Sequence, residues 1–413
     1  MSRFMIVLGI LYIIGAIYGF QAFRTLVRNP YLQIAYGLAF LGILVNLYFQ
    51  FNYFDRSQGL TPGMGLAIGL FLAFAALGLS SGFFMLVEDI VRVVRWVIGK
   101  FAVSNDVAHS DFPSRRRFIS QIALGVAAVP FVSLLYGMFK GKYDYQVLKY
   151  TLEFDDLPEA FDGYRLTQIS DIHSGSLDNK EKIEYVVDLI NKQESDVVLF
   201  TGDIVNNIAS ELHPWKETFG KLNAKDGTFS VLGNHDYGDY AEWSSEEAKA
   251  ANLDELKQIQ KEMGFELLLN ENRFLEKDGQ RIALIGVENW GEGGFKKAGD
   301  LEKAIKDVKA SDFKILMSHD PSHWEHQVLD HPYHYHLTLS GHTHGMQFGV
   351  EIPGLVKWSP AQYRYKYWAG IYETAGQYIN VNRGLGFIGY PGRVGIWPEV
   401  SVIELRKKPK RAV

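Results

Sequence analysis

Residues 196–207 read DVVLFTGDIVNN, and this stretch decides the fold. The first half, 196–201, is a short β-like run. It stops at Gly202, and an acid, Asp203, stands where the strand would end. The same arrangement recurs on both sides of it. The run 164–170 is followed by Asp171-Ile172-His173, and the run 228–232 by Gly233-Asn234-His235-Asp236. The run 313–318 is followed by His319-Asp320, and the run 336–340 by Gly341-His342-Thr343-His344. Further strand candidates are 146–153, 281–287, 378–382 and 400–405. Helix candidates are 179–193, 211–222, 245–263 and 299–309. Such alternation predicts an α/β or layered-sheet domain. Open sheets of that class place their sites at the carboxyl ends of strands, so these polar residues are expected to converge.

The residue types suggest a chemistry. Asp oxygens, His nitrogens and an Asn carbonyl suit Mn, Fe or Zn, and the chain has no cysteine to offer a thiolate. One carboxylate can bridge two ions, and a metal pair can clamp a phosphoryl group and acidify a bound water. Glycines beside Asp203, Asn234 and His342 permit the tight turns such a cleft needs.

The ordered set SDIH, TGDIVN, GNHD, SHD and GHTH, across about 171–344, resembles the calcineurin-like metallophosphoesterase family. The resemblance implies a layered α/β/β/α sandwich and two divalent ions. It implies that Asp171, His173, Asp203 and His344 hold one ion. Asp203, Asn234, His319 and His342 would hold the other, with Asp203 bridging. The nucleophile would be a metal-bridging water or hydroxide. His235 would protonate the leaving-group oxygen or stabilise its charge. Where protein phosphatases of the family carry GDxxDRG and GNHE, this chain has Gly202-Asp203-Ile204-Val205-Asn206-Asn207 and GNHD. Asn206 then replaces the acid that pairs with the catalytic histidine, and a bidentate phosphate clamp is missing, which disfavours a phosphoprotein substrate. Asp236 reads equally as a support for the site or as an ordinary turn residue.

The tail, Asn382-Arg383-Gly384-Leu385-Gly386, Pro391-Gly392-Arg393 and Trp397-Pro398-Glu399, is similar to the closing segment of bacterial membrane-associated members. It brings in Arg383 and Arg393 as substrate-binding candidates, against a reading as turn residues. Tyr363, Tyr365, Tyr367 and Trp368 would rim the cleft, touch a bilayer interface or pack in a β-ribbon.

The first third is different. Residues 4–20, 31–54, 57–87 and 118–139 contain no charged side chain. A hydrocarbon core about 30 Å thick needs roughly 20 apolar residues of helix, so four spans are expected near 4–22, 31–53, 64–87 and 118–139. The chain therefore reads as a membrane module, 1–140, followed by a catalytic domain, 146–413. Basic residues set orientation. Arg24 and Arg28 follow span one, and Arg92, Arg95, Lys100 and Arg115–Arg117 are read as the loop after span three. Only Arg56 follows span two. With four spans, both rich segments lie in the cytoplasm of a bacterial inner membrane and the domain lies outside. Uncharged spans argue for anchoring and against a transporter.

A net charge of −5 gives no reason to expect nucleic acid. The expected activity is hydrolysis of a phosphomonoester or phosphodiester, on an envelope-derived or lipid-linked substrate. Alternatives are a pyrophosphatase acting on a nucleotide-linked acylated sugar in lipid A synthesis, and a catalytically silent metal-bound sensor or scaffold. Oligomeric state is left open.

Overall fold

A computed structural model of the chain describes residues 3–53, 61–101, 113–352 and 354–409. Two compact units divide after Phe139. The first contains α1 (Arg3–Leu26), α2 (Pro30–Asn52), α3 (Pro62–Phe101) and α4 (Pro113–Phe139), and all four helices are long and apolar enough to cross a membrane. Tyr12 stacks on Phe71 and donates from its hydroxyl to the Phe40 carbonyl at 3.1 Å. Glycines let α1 and α3 meet closely. A Cβ on Gly15 would stand 2.9 Å from the Leu79 nitrogen, and one on Gly78 2.9 Å from the Gly15 carbonyl carbon. Gly19 and Gly82 extend the contact one turn further, the small-residue spacing that membrane helices use to pack.

One expectation changes here. Arg92, Arg95 and Lys100 belong to α3 and not to a loop. Between Glu88 and Phe101 there is no proline and only one glycine, so nothing stops the helix at the end of its apolar run. Arg115–Arg117 form the first turn of α4 behind Pro113, a residue suited to a helix start. There Arg115 binds Glu88 at 2.9 Å, and Arg116 binds Asp89 at 3.1 Å and Gln21 at 2.6 Å. The C-terminal part of α1 and the first turn of α4 thus lie on one side. Arg56 lies outside the described residues.

The second unit contains, in order, β1 (Gln146–Phe154), β2 (Arg165–Ile169), α5 (Lys180–Asn191), β3 (Val197–Phe200), α6 (Lys216–Phe219) and β4 (Thr228–Ser230). Then come α7 (Glu246–Glu262), β5 (Phe265–Leu267), β6 (Glu271–Lys277), β7 (Gln280–Gly286), α8 (Leu301–Ala304), β8 (Phe313–Met317) and β9 (Leu337–Ser340). It ends with β10 (Val350–Ile352), β11 (Val356–Trp358), β12 (Gly370–Thr374), β13 (Gln377–Val381) and β14 (Glu399–Lys407). One six-stranded sheet has the order β1-β14-β2-β3-β4-β5, the other β12-β13-β9-β8-β7-β6, and β10 pairs with β11 alone.

Strand periodicity explains the layers. Val197 and Leu199 face inward to Ile315, Met317, Leu337 and Leu339 of the second sheet. Val198 and Phe200 face outward to Ile183, Val187 and Ile190 of α5 and to Leu256 and Ile259 of α7. On the other side, Ala283, Ile285 and Leu316 pack under Leu301, Trp324 and Val328. The result is the layered α/β/β/α sandwich. Three details differ from expectation. The segment 211–222 is a 3-10 turn, Ala209–Trp215, and then the single turn α6, because Pro214 cannot donate to a helix. The helix expected at 299–309 is confined to α8. Strands β5, β10 and β11, of three residues each, the charge-rich β6, and β12 lie outside the expected strands.

Candidate metal centre

Parallel pairing brings the polar turns to one edge of the sandwich. Strands β2, β3 and β4 run parallel in one sheet, and β8 and β9 in the other. Asp171 and His173 follow β2, Asp203 follows β3, Asn234 and His235 follow β4, His319 follows β8, and His342 and His344 follow β9. Five of these adopt left-handed backbone: Asp171 (φ 50°), His173 (47°), Asp203 (59°), His342 (71°) and His344 (51°). Such conformations cost about 1–3 kcal/mol each in a non-glycine residue and persist where surrounding packing imposes them. Neighbouring glycines make room. A Cβ on Gly233 would collide with the Asp203 carboxylate, and one on Gly341 with Ser170 and the Asp171 carboxylate.

Two donor groups result, Asp171 with His173 and His344, and Asp203 with His319 and His342, the ligand atoms of each within 4.8 Å of one another. In the first, His344 Nε2 lies 2.9 Å from His173 Nε2 and 3.1 Å from Asp171 Oδ1. In the second, His342 Nδ1 lies 3.3 Å from His319 Nε2 and 2.7 Å from Asn234 Oδ1. Asp203 Oδ2 stands between the groups, 3.1 Å from His319 Nε2 and 3.7 Å from His173 Nε2. Outer hydrogen bonds orient the rings of the second group. His319 Nδ1–H donates to the Thr201 carbonyl at 2.7 Å and turns Nε2 toward Asp203. His342 Nε2 lies 2.8 Å from the Tyr365 hydroxyl, which turns Nδ1 toward Asn234 and His319. In both groups imidazole nitrogens crowd together beside carboxylate oxygens, an arrangement that a cation held among them would satisfy. The oxygen and nitrogen donor set fits two borderline divalent ions.

Electrostatics agree. Burial raises the Asp203 and Asp171 carboxyls, but His319 and His344 respectively outweigh it and hold both below the usual range. Burial lowers His319, yet Asp203 pushes it up to about 10, a measure of how strongly this carboxylate attracts positive charge without an ion. Burial, with His344 and His235 nearby, holds His173 well below its ordinary value.

The remaining expected residues fall differently. His235 is half-buried at the mouth, its ring 4.9 Å from that of His173. Its Nδ1–H donates to the main-chain oxygen of Asn206 at 2.6 Å, whereas the Asn206 side chain binds Ser176. The pairing expected from the Asn206 amide is thus made by its backbone. Asp236 accepts from the backbone nitrogens of Gly233, Asp203 and Ile204 at 2.8–3.0 Å and ties two ligand loops together. Arg383 and Arg393, expected to meet a phosphate, are buried and partnered. Arg383 binds Glu399 and Glu351. Arg393, fully buried, donates to the carbonyls of Arg383 and Gly386 and lies 3.2 Å from His344 Nδ1.

Two tyrosines complete the rim. Tyr365, from the aromatic stretch, reaches His342, with the Phe295 ring edge-on to the same imidazole at 4.7 Å. Tyr367 and Trp368 pack in cores, and Tyr363 is exposed. Tyr240, which carried no sequence signal, accepts from Asn234 Nδ2 at 2.9 Å and lies 4.4 Å from the His235 ring. A groove lined by Glu292, Ser322, Glu325, Arg364 and Lys366 opens beside Tyr365.

Residues 164–346 match the family model of the calcineurin-like phosphoesterases, and residues 2–142 match that of a probable calcineurin-like phosphoesterase transmembrane domain. An uncharacterized metallophosphoesterase of Bacillus subtilis, YkuE, is 29% identical over 71% of this chain and 98% of its own length. A transmembrane protein with metallophosphoesterase domain from Danio rerio is 28% identical over 73% of this chain and 64% of its own. An uncharacterized metallophosphoesterase of Aquifex aeolicus is 27% identical over 67% and 99%. With both matches joined in one chain and the ligand-bearing turns gathered at one edge, this protein belongs to the calcineurin-like phosphoesterases and carries their transmembrane domain ahead of the phosphoesterase domain.

Proposed function

We propose that the protein is a membrane-anchored phosphoesterase that uses two divalent ions, Mn, Fe or Zn, to hydrolyse a phosphomonoester or phosphodiester. The observation that supports this most is the position of Asp203 between two buried donor groups. Asp171, His173, Asp203 and His344 would hold one ion, and Asp203, Asn234, His319 and His342 the other. Such ions supply Lewis acidity toward phosphoryl oxygens and acidify a bound water.

The protein's own groups do the rest. The Asn206 carbonyl holds His235 through Nδ1–H, so Nε2 is the nitrogen left to face a leaving-group oxygen, and the imidazolium form would be the one that gives it a proton. Tyr365 and Tyr240 hold His342 and Asn234 with their ligating atoms inward. Arg383 and Arg393 are buried and held by Glu351, Glu399 and main-chain oxygens, so phosphate charge is read as met at the centre itself, with Arg364 and Lys366 in the groove beside Tyr365.

The shared side of Gln21 and Arg116 supports a cytoplasmic basic end and a domain on the extracytoplasmic face of a bacterial inner membrane. The decisive experiment is turnover of p-nitrophenyl phosphate and bis-p-nitrophenyl phosphate by the full chain with Mn²⁺, beside Asp203→Ala. Metal-dependent turnover that the variant lacks is expected. No turnover, or equal turnover by the variant, ends the proposal. A reporter fused after residue 413 tests the side, and activity of a cytoplasmic reporter alone would reverse it.

A further inference from the structure

The ribbon β10–β11 has its polarity turned inside out. Val350 pairs with Trp358, Glu351 with Lys357 and Ile352 with Val356, so alternate pairs take opposite faces. The charged pair points into the domain. Glu351 accepts from Arg383 Nη2 at 2.7 and 2.9 Å, and Lys357 Nζ donates to the Ala369 carbonyl. The aliphatic residues point out. Val350 is 47% exposed, Ile352 48% and Leu355, at the turn, 79%. Met346 and Phe348 lead into the ribbon at 47% and 39%, and Tyr363 beyond it is 79% exposed. A surface that ties its charges back to the domain and displays its aliphatics in one place is matched to an apolar partner.

We propose that this ribbon is a bilayer-contact element, seated in the interface of the membrane that anchors the same chain. The covalent connection favours lipid over other apolar partners. Lys140–Tyr145 alone separate the last membrane helix from β1, a reach of at most about 20 Å. That connection is folded against the domain, with Lys142 Nζ 2.7 Å from Asp178. The domain is therefore always at a membrane surface. Leu355 at the turn with Trp358 and Tyr363 nearby is the composition that settles at the boundary between headgroups and acyl chains.

The ribbon grows from the loop that carries the metal centre, since Met346 is two residues past His344 and Glu351 shares Arg383 with Glu399. Seating the ribbon in lipid holds the centre at the bilayer surface. Combined with the phosphoesterase reading, on which this last step rests, it defines the substrate class as a phosphate ester carried on a membrane-resident amphiphile.

The chain has no cysteine, so one introduced thiol reports on one place. Leu355→Cys and, as an exposed control, Lys225→Cys are each labelled with an environment-sensitive fluorophore. The full chain is then reconstituted into phosphatidylcholine–phosphatidylglycerol liposomes. A blue shift and quenching by spin-labelled lipids at position 355, absent at 225, is expected. Equal spectra at the two positions would overturn the proposal. A blue shift at 355 without lipid quenching would also overturn it, and would identify a protein partner such as a second copy. Leu355→Glu is expected to lose turnover of a phosphate ester embedded in liposomes and to keep turnover of p-nitrophenyl phosphate. Retained turnover of both removes the substrate class. If the native chain turns over neither ester, the phosphoesterase reading fails while lipid quenching still decides the ribbon.

Discussion

His235 Nδ1 lies 2.6 Å from the main-chain oxygen of Asn206, while the side-chain amide of that same Asn206 turns away to Ser176. The imidazole is therefore oriented by backbone. Asn206→Ala should change kcat only slightly. Replacing His235 by Asn should lower it by about 100- to 10,000-fold, the range for losing a positioned proton donor. Steady-state kinetics of the two variants separate the cases. An equal fall in both would show that the amide is needed after all.

Asp203 stands between the two donor groups, so its loss should empty both. Asp203→Asn is expected to lose bound metal, measured by elemental analysis, and to lose turnover on the order of 1,000-fold, several kcal/mol of transition-state stabilisation. Retention of full metal content would contradict a shared ligand.

Tyr365 and Tyr240 act on the ions only through His342 and Asn234. Removing either hydroxyl in Tyr365→Phe or Tyr240→Phe should weaken metal affinity by about 10- to 100-fold, as for other groups that orient ligands. Competition with a chelator of known affinity reads this directly. Unchanged affinity with reduced kcat would instead place the hydroxyls on the substrate.

Arg393 is a structural cation. Arg393→Met leaves the carbonyls of Gly386 and Arg383 buried without their donor. It should destabilise the fold by about 3 kcal/mol. Thermal unfolding in detergent should show the loss, and the folded fraction should keep its KM. A raised KM at unchanged stability would return Arg393 to the phosphate.

Glu211 links pH to stability. Burial raises its carboxyl from 4.5 to about 7, against the opposing pull of the Asn206 and Asn207 amides. The native state then holds a proton more tightly than the unfolded chain. Stability is fully present below the unfolded value and declines as pH rises toward 7. Glu211→Gln keeps an acceptor for both amides and removes this decline. It should be more stable than the native chain at pH 8, by up to about 3 kcal/mol, and equal to it below pH 4.5. Denaturation midpoints across that range check it, and a parallel pH dependence in the two proteins would refute it.

Much of the site was legible because its signals are local. A buried strand is a short apolar run, and a glycine turn bearing Asp, Asn or His follows it directly, as at 196–203 and 336–344. Where signals were not local, reading stopped. Arg383 and Arg393 stand among glycines and prolines, as phosphate-binding arginines would, and only packing shows them closed in by Glu399, Glu351 and main-chain oxygens. Tyr240 looks like any loop tyrosine, because its partner Asn234 is set by the turn after β4 and not by a motif.

Charge and hydropathy along the chain determined that four apolar helices precede an α/β domain, since burial of apolar runs and exposure of charge act residue by residue. The order of the motifs likewise determined which donors were available. The tertiary structure decided what those donors face. Two sheets had to stack before His319 could approach Asp203 and His342 approach Asn234, contacts spanning more than 100 residues of chain. It also decided that the ribbon at 350–358 presents Val350 and Ile352 outward and Glu351 inward. Strand alternation offers two faces, and the Arg383–Glu351 ion pair together with the Lys357–Ala369 contact selects between them.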